Sequence, residues 1–156
     1  MKKIAQANAA RTPGSLPRLL YVEDNDENWH VTELRLGRSY ELLRAANDRS
    51  ACEILSRPEK LYAILMDIEL RGSQLNGIDL TQLIRGTLPL AKRPTYARSV
   101  PKLDVPVFFV TAHAGTAYSH ENLLAVGAND VLAKPIDFTR LNLALTSLYI
   151  NRVLTR

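Results

Sequence analysis

Short hydrophobic runs alternate along the chain with stretches in which apolar residues recur at helical spacing. The β-type runs cover residues 19–22, 40–45, 61–66, 107–110 and 130–133. Between them, apolar residues three or four positions apart predict amphipathic helices. Two runs, 61–66 and 106–110, are apolar almost throughout, as strands buried on both faces of a sheet are. The pattern predicts an α/β fold with a single five-stranded parallel sheet, doubly wound, with helices on both faces.

Three further segments complete this prediction. Asp137 is a plausible N-cap for a final helix over residues 137–154. The stretch after Asp67 ends in the turn pair Asn76 and Gly77. Residues 86–105 form a Pro-rich basic stretch that we expect to resist helix and strand. Loops of this length within compact domains are usually functional or disordered.

Length and charge refine the picture. The 156 residues suit one domain, which we place at 19–156 after a basic, disordered tail at 1–18. The tail carries four bases and no acid, and the 86–105 loop adds a local charge of +3. We expect both to contact an acidic partner surface. A single cysteine and the absence of a membrane-length apolar run favour a cytoplasmic protein.

Polar side chains follow the predicted strands where each strand ends. Strand one is followed by Glu23 and Asp24, strand three by Asp67, strand four by Thr111 and strand five by Lys134. Ligands of open parallel sheets bind at the carboxyl ends of the strands, so we expect these groups to converge. Clustered carboxylates repel one another unless a cation lies among them, and hard oxygen ligands suit Mg²⁺. A magnesium site is predicted.

Each of these residues also has an ordinary structural interpretation. Asp24 could cap the first helix, and Asp67 and Glu69 could be loop acids. Thr111 and Lys134 mean little individually, because hydroxyls and lysines end many strands. Their joint occurrence favours a functional site, since convergent charges mark function more often than structure.

This combination resembles the receiver domains of two-component response regulators, over roughly residues 19–153. The resemblance implies the flavodoxin-like receiver fold with strand order 2-1-3-4-5. It implies that Asp67 is the phosphoacceptor and a metal ligand, and that Asp24 binds Mg²⁺ directly. By the same resemblance, Glu23 acts largely through metal-bound water, and Glu69 offers its backbone carbonyl to the metal.

The resemblance also implies a reaction and partners. Thr111 would hydrogen-bond the phosphoryl group, and Lys134, before a cis peptide bond to Pro135, would pair with it. A histidine kinase or histidine phosphotransfer protein would donate the group, the domain would catalyse its own phosphorylation and dephosphorylation, and a downstream protein would be the target. The resemblance leaves open whether two copies of the chain form a homodimer.

The sequence departs from this family in three places. Arg71, Gly72 and Ser73 enlarge the loop after the acceptor. Val131 stands at a switch position that is usually aromatic, so we expect Thr111 and residues 112–119 to carry the signal instead. The 86–105 loop exceeds the usual connection by about ten residues, a length typical of functional loops.

Three functions remain in competition at this point. We expect a stand-alone receiver, with no output domain after residue 156, that signals through phosphorylation-dependent protein contacts. The alternative is a receiver-like interaction module that acts independently of phosphorylation, which Val131 leaves open. Nucleic-acid binding is disfavoured, because no helix-turn-helix segment and few aromatic residues accompany the basic stretches.

Overall fold

A computed structural model gives the architecture of residues 15–115 and 117–155. The predicted tail lies mostly outside these described residues, and β1 already begins at Arg18, one residue before the predicted boundary. The five strands are β1 (Arg18–Val22), β2 (Glu41–Ala45), β3 (Ala63–Asp67), β4 (Val107–Thr111) and β5 (Asp130–Ala133). They form one parallel sheet in the order β2-β1-β3-β4-β5, which confirms the predicted fold class and strand order.

Five helices cover the two faces of the sheet. They are α1 (Asp26–Leu36), α2 (Asp48–Leu55), α3 (Gly77–Arg85), α4 (His120–Val126) and α5 (Phe138–Leu154). One apolar cluster joins the sheet to α2, α3 and α4, and a second joins it to α1 and α5. The strands β3 and β4 lie between these clusters and are buried at every residue, as their apolar sequence predicted.

Side-chain caps fix where the helices begin. Asn25, not Asp24, caps α1, because its side chain accepts a hydrogen bond from the Asn28 amide. The interpretation of Asp24 as a helix cap is therefore wrong, and its carboxylate is left for other contacts. Asp137 caps α5 as predicted, by accepting from the Arg140 amide.

Residues 86–105, hereafter the α3–β4 segment, are more ordered than their prolines suggested. The segment contains two 3₁₀ turns, Leu90–Lys92 and Thr95–Ala97. Its residues Leu88, Ala97 and Val100 are buried against α2 and α3. The Arg85 guanidinium donates to the carbonyls of Leu103 and Val105 at 2.9 and 2.7 Å and holds the end of the segment.

Among the described residues, no helix combines the length and the apolar character that a membrane crossing requires.

Candidate functional site

Three carboxylates meet at the carboxyl edge of the sheet. Glu23 and Asp24 follow β1, and Asp67 ends the neighbouring strand β3. One carboxylate oxygen from each lies within 4.8 Å of the others. Glu23 is fully buried, Asp67 is nearly so, and Asp24 is half-buried beside solvent. The convergence predicted from the strand ends is thus present.

Lys134 supplies the opposite charge. It follows β5, and the peptide bond to Pro135 is cis. Its Nζ lies 3.0 Å from Asp67 Oδ2 and 3.1 and 3.0 Å from the two Glu23 oxygens. Glu23 therefore serves mainly as the buried anchor of the ammonium, which in turn holds one oxygen of Asp67.

Thr111 ends β4, the other neighbour of β3, and its side chain is buried. Its Oγ1 accepts a hydrogen bond from the His113 amide at 3.0 Å. Ala112 is exposed and small, so its methyl group leaves this side of the approach to Asp67 open. These residues line a cleft of about 820 Å³ that opens at this edge of the sheet.

Electrostatics at the site follow from this packing. Burial, followed by the hydrogen bond and charge of Glu23, raises the pKa of Asp67 to about 7, although Lys134 acts in the opposite direction. Burial alone would lower the pKa of Lys134, but its contacts with Asp67 and Glu23 outweigh burial and raise that pKa. An acid with a raised pKa in an open cleft is a mark of a functional group.

The loop after β3 (residues 68–76, hereafter the β3–α3 loop) completes one wall of the cleft. The Arg71 amide donates to Asp24 Oδ2 at 3.1 Å. The Glu69 carboxylate is mostly exposed and lies 3.5 Å from His113 Nε2, so its side chain spans the mouth of the cleft. Gly77, the first residue of α3, lies so close to the acceptor that a Cβ there would be 2.0 Å from the Asp67 carbonyl oxygen.

Two supporting residues were missed by the sequence analysis. Asn28 Nδ2 donates to Glu23 Oε1 at 2.5 Å. Its position in the first turn of α1, shortly after Glu23, was the sequence feature that could have identified it. Arg44 on β2 donates to the carbonyl oxygens of Glu23 and Asp24 at 3.2 and 3.3 Å. Its position in β2, a strand that also carries Glu41, gave no indication of which backbone it would hold.

Val131, the residue at the switch position, has an apolar environment, unlike the acidic site. Val131 is buried on β5 in the apolar cluster under α4. Tyr118, in the loop before α4, is half-buried and packs against the same cluster, and its carbonyl accepts from the Gly115 amide at 3.1 Å. The expectation that this loop carries the signal stays a prediction.

The donor set fits a hard divalent cation. Three carboxylates with oxygens this close repel one another, and a single ammonium offsets only part of their charge. Oxygen ligands of this kind suit Mg²⁺ rather than a soft thiolate-seeking metal.

The sequence profile of the response regulator receiver domain matches residues 19–146. The chain belongs to this family. It is 31% identical over 119 residues to the uncharacterized transcriptional regulatory protein YrkP of Bacillus subtilis, which covers 76% of this chain and 43% of that protein. It is 30% identical over 102 residues to an NtrX-like response regulator of Rickettsia conorii, with 65% and 18% covered. The chain thus spans less than half the length of these relatives.

Solved receiver domains share the architecture. The receiver domain of the sensor histidine kinase PA1611 from Pseudomonas aeruginosa, solved with a magnesium ion in its active-site cleft, superposes with a TM-score of 0.67 at 31% identity. That comparison covers 86% of this chain and 98% of the other. The receiver domain of the Francisella response regulator 1452 gives a TM-score of 0.69 over 87% and 98% of the two chains, and at 18% identity it supports the fold alone.

Proposed function

We propose that this receiver domain takes a phosphoryl group onto Asp67 in a Mg²⁺-dependent reaction, with a histidine kinase or histidine phosphotransfer protein as donor. The observation that carries the proposal is the placement of Asp67, a buried carboxylate 3.0 Å from Lys134 and within 4.8 Å of two further acids. Of the three acids, Asp67 is the one that ends a strand, beside the strand that ends in Thr111 and in direct contact with Lys134.

The chain's residues have separate tasks in this reaction. An Asp67 carboxylate oxygen bonds to phosphorus while the phosphorus–nitrogen bond of the donor phosphohistidine breaks, and the imidazole nitrogen keeps the electron pair. Lys134 favours the ionised, nucleophilic form of Asp67 and then pairs with the phosphoryl oxygens. The Thr111 hydroxyl donates a hydrogen bond to the transferred phosphoryl group. Such transfers depend on positioning and charge neutralisation more than on covalent help.

Glu23, Asp24, Asp67 and the Glu69 backbone carbonyl would hold Mg²⁺. The cation supplies charge neutralisation on the transferred group. Glu23 itself bonds to Lys134 through both oxygens, so its part in holding the cation is indirect, as expected for an acid that acts through bound water. Signalling then proceeds through phosphorylation-dependent contact with a target protein.

The test is phosphorylation with phosphoramidate, read by intact mass with and without Mg²⁺. We expect one added phosphoryl group in the wild type with Mg²⁺ and none in Asp67→Asn. Asp104→Asn, at an exposed acid of the α3–β4 segment, is the matched control and should be modified like the wild type. Equal modification of Asp67→Asn, or modification that persists in chelator, would contradict the proposal.

A further inference from the structure

A buried carboxylate outside the acidic cleft joins three parts of the fold. Asp48, the first residue of α2, is 2% exposed. Its Oδ2 accepts from the amides of Gln74 and Leu75 at 3.1 and 3.0 Å and from the Tyr96 hydroxyl. Its own amide donates to Ser73 Oγ at 3.0 Å. Asp48 therefore connects α2, the β3–α3 loop and the α3–β4 segment.

These bonds keep Asp48 charged despite its burial. Burial opposes ionisation, but the hydrogen bonds from Tyr96 and from three backbone amides outweigh it, so the pKa of Asp48 is lowered. A charged acceptor with several donors holds its partners more firmly than a neutral one. Removing any partner would leave buried polar groups unpaired, which is costly. The connection is therefore stiff.

The β3–α3 loop is held by an acid at each side. Its Arg71 amide bonds to Asp24 in the cleft, and its Gln74 and Leu75 amides bond to Asp48. Only two residues separate the two attachments. A change in the cleft that shifts Arg71 therefore acts close to the bonds of Asp48, which give it a route to Tyr96.

Tyr96 lies in the part of the α3–β4 segment that presents unpaired charge. Arg49 of α2 stacks its guanidinium 4.7 Å from the centre of the Tyr96 ring. Lys92, Arg98 and Lys102 are exposed, and neither they nor Arg49 form an ion pair within residues 15–115 and 117–155.

An apolar side chain projects from the same segment. Leu90, in the first 3₁₀ turn, is 78% exposed and lies two residues from Lys92. The segment beneath it is fixed by burial of Leu88 and Ala97 and by the bond between Ser56 and Ser99 hydroxyls at 3.1 Å. A rigid surface with unpaired cations and an exposed leucine suits an acidic protein segment that also carries apolar side chains, whereas a phosphate backbone could not use the leucine.

We propose that α2 and the α3–β4 segment form a docking surface for an acidic protein segment, and that Asp48 makes this surface respond to phosphorylation of Asp67. The second half of this inference rests on the proposed function. The surface exists in the resting chain, and the change of the β3–α3 loop on phosphorylation reaches it through Tyr96.

The docking surface is tested with a fluorescein-labelled peptide of 20 residues made of glutamate and leucine, measured by fluorescence anisotropy at low salt. The double variant Lys92→Glu/Arg98→Glu should bind about tenfold more weakly than the wild type, because each exposed charge contact contributes up to roughly 1 kcal/mol. Arg35→Glu/Arg38→Glu makes the same charge change at the end of α1 and should bind like the wild type.

Three results would overturn the docking surface. They are the absence of peptide binding by the wild type, equal losses in the two double variants, and tighter binding to a duplex DNA of 20 base pairs than to the peptide. The last result would identify the surface as a nucleic-acid site instead.

The link through Asp48 is tested by amide exchange of fragments covering residues 93–100, with and without Mg²⁺ and beryllofluoride. We expect a change in protection in the wild type that is lost in Tyr96→Phe, which removes one hydroxyl and keeps the ring on Arg49. Tyr149→Phe on α5 is the matched control and should keep the response. Asp48→Asn should lose it too, and circular dichroism shows whether that variant is folded.

The outcomes separate the two proposals. If intact mass shows phosphorylation of Asp67 but residues 93–100 keep the same protection, the link is wrong and the proposed function stands. If Asp67 accepts no phosphoryl group, the proposed function fails first. A response that persists in Tyr96→Phe would also overturn the link.

Discussion

Replacing Asp67 with asparagine should stabilise the metal-free protein. Asp67 lies beside Glu23 and Asp24 with Lys134 as the nearest cation, and burial and Glu23 raise its pKa to about 7 from its ordinary value of 3.8. The folded chain therefore binds a proton at Asp67 more readily than the unfolded chain does. Between about pH 4 and pH 7 the site loses stability as pH rises, because the unfolded state gains from ionising this carboxyl group and the folded state does not.

The size of the effect follows from the shift. About three pKa units correspond to roughly 4 kcal/mol at neutral pH, which is an upper bound. Asparagine also forms a weaker hydrogen bond to Lys134 than a carboxylate does, at a cost of roughly 1–3 kcal/mol. We expect the free energy of unfolding to rise by about 1–2 kcal/mol, which raises the Tm by about 2–8 °C for a chain of this length.

Magnesium should reverse the order of the two proteins. A ligand that binds only the folded state adds stability once its concentration exceeds its Kd, by about 1.4 kcal/mol at ten times the Kd. The wild-type chain has three carboxylates at the acidic site, and the Asp67→Asn variant retains two. Mg²⁺ should therefore raise the wild-type Tm more than the Tm of the variant.

The assay is thermal unfolding of both proteins at pH 7.5 and pH 5, each in chelator and in millimolar Mg²⁺. In chelator the advantage of Asp67→Asn should be larger at pH 7.5 than at pH 5, and Asp104→Asn should show no such pH dependence. If chelated wild type melts no lower than Asp67→Asn, and Mg²⁺ leaves the wild-type midpoint unchanged, the three acids do not form the shared site inferred here.

Three further predictions address other parts of the site. Lys134→Met removes the cation that lowers the pKa of Asp67, so the pKa of Asp67 should rise further. The pH profile of phosphorylation by phosphoramidate should therefore move to higher pH, and an unmoved profile would contradict this role of Lys134. Gly77→Ala places a methyl group against the Asp67 carbonyl and should lower the free energy of unfolding, measured in urea, by about 1–3 kcal/mol; an unchanged stability would show that this close approach is not essential to the fold. Beryllofluoride with Mg²⁺ should change amide exchange across residues 112–119, and protection confined to the metal ligands would count against a signal through this loop.

The sheet and the main site residues could be predicted because each depends on local sequence. Buried parallel strands are apolar throughout, so β3 and β4 were found within two residues of their ends. Once the strands are known, the carboxyl edge gathers Asp24, Asp67 and Lys134 whatever the details of packing. The convergence was predicted from the order of elements and the polar residue after each strand, whereas the strand order and the role of each residue came from the family resemblance.

Asp48, Tyr96 and Arg44 could not be found in this way. Each bonds to a group that is distant in sequence, as the Tyr96 hydroxyl does to the Asp48 carboxylate across 48 positions. The α3–β4 segment has no helical or strand periodicity, because its buried residues Leu88, Ala97 and Val100 follow an irregular backbone set by prolines. Its prolines correctly excluded regular structure, but they gave no information about packing against α2.

The instability inferred at the acidic site and its proposed chemistry have one cause. Asp67 can act as nucleophile and cation ligand only if its charge is not already neutralised in the resting chain. A second lysine beside it would stabilise the fold and lower its pKa, but it would also weaken the attraction for a divalent cation. Lys134 instead divides its contacts between Glu23 and Asp67 at nearly equal distances of 3.0–3.1 Å. The charge left over would drive the proposed binding of Mg²⁺, and a more stable arrangement would bind the cation less tightly.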